Sequence, residues 1–252
     1  MADSIIEIKN LLKFFGDHVV LNGISFEVQR KENLVVFGKS GSGKSVLLKC
    51  MVGLMEPDGG EILIEGKDVL KMSLNELNSV RKHTGFLFQG SALYDSMTVR
   101  ENLEFPLKRN FDFTQEEIDF KITDVLAKVS LEDAIDKMPA ELSGGMKKRI
   151  GLARTIITEP KIILYDEPTT GLDPITTKEI SRLIIELQKD LNVTSIVVTH
   201  DITCAEIVAN RAVVLKDGDL IFNGSLRELT LADDDFLKDF FYREPITENG
   251  SN

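Results

Sequence analysis

Gly38-Lys39-Ser40-Gly41-Ser42-Gly43-Lys44-Ser45 fits the pattern G-x-x-x-x-G-K-[ST], and its flanks fit the same reading. Before it, Leu34-Val35-Val36-Phe37 is a short apolar run bounded by polar residues, which reads as a buried strand. After it, Val46 to Val52 has the composition and apolar spacing of a packed helix. Strand, glycine-rich turn and helix are the setting in which this pattern cradles phosphate. Glycines let successive backbone N–H groups turn toward one anion, and the helix N-terminus adds partial positive charge. Lys44 is placed to reach the β- and γ-phosphates of a nucleoside triphosphate, and Ser45 to offer its hydroxyl to Mg²⁺. An α/β fold of the P-loop type follows.

Composition bounds the rest. With 252 residues, 42% hydrophobic and 28% charged, the chain has ample material for a globular core. Its 30 basic and 41 acidic residues give a formal net charge of −11, which argues against a general nucleic-acid binder. No segment reaches the ~18 uncharged apolar residues of a membrane span. Met1-Ala2-Asp3-Ser4 lacks the basic start and apolar core of an export signal. Cys50 and Cys204 have no metal-type spacing and read as buried free thiols in a reducing compartment. A cytoplasmic location is expected.

Working outward, Ile5–Ile8, Ile24–Val28 and Ile62–Ile64 read as strands of a β-rich N-terminal region, the third fed by the turn Pro57-Asp58-Gly59-Gly60. Thr84–Phe88 is another strand, ending at Gln89. From about 91 to 159 the pattern is helical. Thr114-Gln115-Glu116-Glu117 is a capping box opening a helix to Val129, and a second helix runs from Gly144 to Thr158. Ile162–Tyr165 returns to a buried strand, Thr176–Leu191 to a helix, Ser195–Val198 to a strand and Asp201–Ala209 to a helix. Arg211–Lys216 and Leu220–Asn223 form a hairpin across Asp217-Gly218. The pattern predicts a mostly parallel sheet covered by helices, with a β-rich edge and an inserted helical subdomain. In residue terms the core is 1–90 and 160–230, the helical insertion 91–159, and a C-terminal helix and tail 231–252. Phe236, Leu237, Phe240 and Phe241 form an apolar stripe suited to core docking or to a partner, and the polar residues after Pro245 are expected to fray.

Asp166 and Glu167 end the apolar run 162–165, where ligands gather in folds of this class. Asp166 suits the Mg²⁺ shell, commonly through water. Glu167 is positioned to polarise a water attacking the γ-phosphate.

Leu142-Ser143-Gly144-Gly145-Met146 adds the second half of the pattern: two glycines opening a helix, an anion-friendly N-terminus. Together these segments resemble the nucleotide-binding subunit of an ABC transporter along nearly the whole chain. The resemblance implies that adenine stacks on Phe15, that Gln89 is the Q-loop glutamine at the joint with the helical region and a metal ligand, that Gly171-Leu172-Asp173 is the D-loop, and that His200 contacts the γ-phosphate. His18 and His83 have no such context and read as surface or packing residues. It further implies a homodimer in which Ser143, Gly144 and Gly145 of one subunit close on ATP held by residues 38–45 of the other, with Asp173 of the D-loop among the nucleotide-binding residues. Met146 departs from the family's usual glutamine. That departure, with Phe86–Val99 and Met51–Asp58, resembles the Mla-type ATPases of bacterial phospholipid trafficking, which work with a permease and an MCE-class lipid-transfer component. Such a subunit sits peripherally on the inner face of the cell membrane. Leu93, Tyr94 and Met97 suit a permease-docking groove and equally suit packing within the helical region.

Overall fold

The computed structural model describes residues 4–241, with side chains to Lys238. Strands β1 (Ser4–Phe15) and β2 (His18–Gln29) make a long, bulged antiparallel hairpin. Strand β3 (Asn33–Phe37) is buried along its whole length and runs into the glycine-rich loop and α1 (Lys44–Met51). Then come β4 (Gly59–Ile64), the two-residue β5 (Lys67–Asp68), α2 (Leu74–Lys82) and β6 (Thr84–Leu87). The helical stretch contains α3 (Val99–Asn110), α4 (Gln115–Lys128) and α5 (Gly144–Ile156). The rest is β7 (Ile162–Asp166), α6 (Pro174–Leu191), β8 (Thr194–Thr199), α7 (Ile202–Val208), β9 (Arg211–Lys216), β10 (Asp219–Gly224), α8 (Leu226–Leu231) and α9 (Asp235–Phe241).

Two sheets result. One is six-stranded in the order β10-β9-β3-β8-β7-β6, parallel except for the β9–β10 hairpin. The other is antiparallel, in the order β2-β1-β4-β5. The N-terminal strands therefore do not extend an edge of the main sheet. They build their own layer, because β3 already has β8 and β9 on its two sides and the outer places go to β6 and β10.

The main sheet separates two cores. Leu34 and Val36 of β3, with Leu164, Val198 and Leu215, face α1 and the antiparallel sheet. Val35 and Phe37, with Ile163, Tyr165 and Val197, face the helices from α3 to α7. The period-two alternation of side chains along a strand assigns each residue to its side. In α9, Leu237 is buried and Phe236 packs at the margin of the helical core. Phe240, Phe241 and the polar tail, which complete the expected apolar stripe and frayed end, lie outside the described residues or side chains.

Candidate active site

Four neighbouring parallel strands, β3, β8, β7 and β6, end on the same side of the sheet. Beyond those ends stand the glycine-rich loop, His200, Asp166 with Glu167, and Gln89. Strand order alone therefore gathers residues far apart in sequence. Gln89, Glu167 and His200 line one cleft of about 340 Å³ with Phe15, Val20, Ser40, Gly41, Gly43, Lys44 and Ser45 among its walls, and Asp166 is tied to it through Ser45. Phe15, half exposed at the tip of the β1–β2 hairpin, forms its aromatic rim.

The loop needs its glycines where backbone meets backbone. A Cβ on Gly38 would lie 2.5 Å from the Leu215 carbonyl oxygen. Gly43 caps α1 with φ 95°, and a Cβ there would sit 2.6 Å from the Val20 oxygen. Lys44 is 5% exposed and donates to the carbonyls of Gly38 (2.8 Å) and Lys39 (3.0 Å). Burial holds its pKa below the ordinary lysine value, opposed by the nearby Glu167 charge. Ser42 Oγ is buried in the same loop without a hydrogen-bond partner.

Asp166 accepts from Ser45 Oγ over 2.7 Å, and burial pushes its pKa up. Two hard oxygen donors in contact, with the Gln89 amide on the same cleft, fit Mg²⁺. Among the described residues no group of three His, Cys, Asp or Glu side chains could hold a metal unaided. The set therefore suits an ion that arrives with phosphate oxygens and keeps its waters.

Glu167 is 8% exposed and sits at φ 51°, in the left-handed region a non-glycine residue rarely occupies. Its N–H donates to the Val198 oxygen (2.9 Å), continuing the pairing of β7 with β8. The carboxylate is shared: Oε1 lies 3.6 Å from Lys44 Nζ, and Oε2 accepts from His200 Nδ1 (2.8 Å) and Thr170 Oγ1 (3.3 Å). Strained backbone and converging charge are what catalytic positions commonly show.

Ser143, Gly144, Gly145 and Asp173 are not among the residues lining this cleft. They form a second cluster where α5 meets α6. Ser143 caps α5, its Oγ accepting from the Met146 N–H (3.2 Å). Gly145 permits close approach, since a Cβ would stand 2.9 Å from Thr176 Cγ2. Asp173 caps α6, accepting from the N–H groups of Ile175 and Thr176 and from Thr176 Oγ1.

Lys148 was not legible as a site residue. It is buried on α5 and its ammonium donates to the main-chain oxygens of Gln89 and Glu167. The available signal was its phase: it stands four residues before Leu152 and eight before Ile156, on the apolar face. Farther along, a groove of about 440 Å³ is lined by Phe86, Phe88, Tyr94, Phe105, Arg109 and Arg154 among others. Tyr94 is 44% exposed there, whereas Leu93 packs against the helical core. Arg154 braces the groove by donating to the Ser91 carbonyl (3.1 Å). His18 and His83 are both exposed, and both cysteines are buried and free.

Residues 21–170 match the family model for ABC transporters. The chain belongs to the ABC transporter family. It is 38% identical to the intermembrane phospholipid transport system ATP-binding protein MlaF of Haemophilus influenzae, over 93% of this chain and 89% of that protein. It is 37% identical to the methionine import ATP-binding protein MetN of Clostridium tetani, over 97% of this chain and 76% of that one. Identity to the probable ribonucleotide transport ATP-binding protein mkl of Mycobacterium leprae is also 37%, over 93% of this chain and 68% of the relative. The chain spans 66% of the mkl proteins of other mycobacteria. Among solved structures, the dimeric ATP-binding cassette MJ0796 bound to ADP and Pi superposes with a TM-score of 0.80 at 32% identity, covering 88% of this chain and 99% of that one. The chain is thus an ABC ATPase, and ATP is its substrate.

Proposed function

We propose that this ABC ATPase drives a phospholipid-trafficking complex, pairing with a second copy of itself, a membrane permease and an MCE-type lipid-transfer component, at the inner face of the membrane. The observation that carries the catalytic part is the convergence of Lys44, Ser45, Asp166, Glu167, Gln89 and His200 on the ends of adjacent parallel strands.

In this reading Phe15 offers a ring for adenine to stack on. The loop N–H groups of 38–45 bind phosphate, and Lys44 gives up its contact with Glu167 to meet the incoming negative charge. Ser45, Asp166 and Gln89 would hold the Mg²⁺ that comes with the nucleotide, which would supply charge neutralisation at the phosphate oxygens. Glu167 Oε2, freed from His200, takes the proton of the attacking water, a step worth about 10²–10⁴ in rate. His200 then serves the γ-phosphate. Ser143, Gly144, Gly145 and Asp173 lie away from the cleft of their own chain, which supports a role on the partner's nucleotide. ATP would favour the closed pair, and hydrolysis would release it. The aromatic and basic groove around Tyr94 is assigned to the permease.

MlaF supports phospholipid as the cargo. MetN supports a small-solute importer almost equally by identity, and that is the second reading. Purifying the chain with its membrane partner and extracting bound lipid separates them. Phospholipid bound in stoichiometric amounts, with ATPase activity that depends on it, is expected. A complex free of lipid whose ATPase answers to a small polar solute would overturn the lipid assignment and leave the ATPase standing.

A further inference from the structure

Helix α5 carries an ammonium where its apolar phase calls for a hydrocarbon. Lys148 is 5% exposed, on the helix face that packs toward the sheet. Burial lowers its pKa, with the charges of Glu167 and Asp166 pulling the other way. A leucine or methionine would fill such a place without desolvating a charge, so the ammonium calls for a reason.

Its contacts supply one. Lys148 Nζ donates to the main-chain oxygen of Gln89 and, over 3.3 Å, to that of Glu167. Both residues leave the sheet just past its last pairing of β6 with β7, Leu87 opposite Tyr165. Beyond that pair the ladder no longer holds the two chains together, and the ammonium bridges them. At Glu167 the effect is double-sided. The N–H is fixed by Val198 and the carbonyl by Lys148, on either side of a Cα at φ 51°. These two hydrogen bonds hold the left-handed backbone of Glu167 from both of its peptide groups.

We propose that Lys148 is a positioning residue for ATP hydrolysis, clamping the main chains of Glu167 and Gln89 to each other and to the helix that begins beside Ser143. This rests on Glu167 and Gln89 acting on the nucleotide as described above. Lys148 acts through carbonyl oxygens and has no contact with ATP in this scheme. Because α5 is stiff, a shift of its Ser143 end as it meets the partner's nucleotide is passed to Glu167 of its own subunit. One ammonium thereby links the two composite sites.

The test uses the full-length chain in its lipid-containing complex with the membrane partner, with Lys148→Met, Lys148→Gln and Lys148→Arg. Mg–ATP turnover, KM, the Kd of a fluorescent ATP analogue and thermal melting are measured for each. Lys148→Met is expected to lower kcat about 10²-fold, the effect of a misplacement near 1 Å, while KM and Kd stay within about threefold. Lys148→Arg, which keeps a cationic donor, is expected to recover most of that loss. Should the methionine variant fail to melt cooperatively, Lys148→Gln carries the same expectation, with one weaker donor. Turnover of the uncharged variants within about threefold of wild type overturns the proposal. So does an arginine variant no better than methionine, or a parallel fall of kcat and nucleotide affinity. A wild-type complex inactive in the presence of phospholipid would instead overturn the functional reading, a result no Lys148 variant can imitate.

Discussion

Glu167→Gln removes a negative charge from between two partners, with Lys44 Nζ 3.6 Å from one oxygen and His200 Nδ1 2.8 Å from the other. At an effective dielectric constant near 20, unit charges at the Lys44 distance attract by about 4.6 kcal/mol before desolvation is counted. Desolvation of two buried ions offsets much of that. Lys44 also keeps its two carbonyl acceptors at 2.8 and 3.0 Å, so it is not left bare. A net loss of about 1–2 kcal/mol in the ligand-free protein follows, or a fall in Tm of roughly 2–8 °C for a chain of this size. Catalysis should suffer more. Loss of the general base is expected to slow hydrolysis by about 10²–10⁴, equal to about 2.7–5.4 kcal/mol on the barrier. ATP affinity should hold or rise, because Lys44 no longer has to leave a carboxylate to meet phosphate. Phosphate release, titration with a fluorescent ATP analogue and a melting curve read all three quantities. Turnover within about tenfold of wild type, or affinity lost along with turnover, would refute the assignment of Glu167 as base.

Asp166→Asn should stabilise the ligand-free chain while impairing Mg²⁺-dependent hydrolysis, because burial already disfavours the ionised carboxylate. A folded pKa raised above the unfolded one makes the aspartate ion a cost at neutral pH. The Tm advantage of asparagine should thus be full above the raised value and fade as pH falls toward about 3.9, and a constant difference across that range would count against it. Gly43→Ala forces alanine to φ 95° with its Cβ 2.6 Å from the Val20 oxygen. The backbone conformation alone costs about 1–2 kcal/mol, and distortion of the loop should abolish nucleotide binding; tight ATP-analogue binding would contradict this. Ser143→Arg should stop hydrolysis yet leave ATP binding to the single subunit intact, and full activity would refute the composite site. Tyr94→Asp, in the aromatic groove, should cut copurification with the permease while ATP affinity is unchanged; equal loss of both would mark Tyr94 as a packing residue.

Much of the fold could be read because its signals are local. The capping box at Thr114 predicts a helix ending at Val129, and α4 ends with Val129 as its cap. The apolar runs before Gly38 and Asp166 are β3 and β7, buried throughout. What escaped lacks such signals. Helix α2 is short and has no fully buried residue, its Leu77 and Val80 packing only partly buried against the core, and the capping box of Ser73 and Glu76 at its start went unread. Strand β5 is too short for an alternation to show. The N-terminal region is legible as β-rich, and it forms its own sheet, but local pattern does not tell which strands pair in it. At the site, the glycine-rich loop and the acid pair stand out by residue type. Lys148 does not, because its role depends on two main-chain oxygens that sequence cannot place.

Val35 and Phe37 belong to one core, Leu34 and Val36 to another. The strand that delivers the glycine-rich loop is in effect a partition wall. Substitutions in the helical core are absorbed there, without repacking the side on which α1 rests. A residue exchanged on one side of that wall is felt by the packing of its own side first, so the seat of the glycine-rich loop is insulated from the helical core.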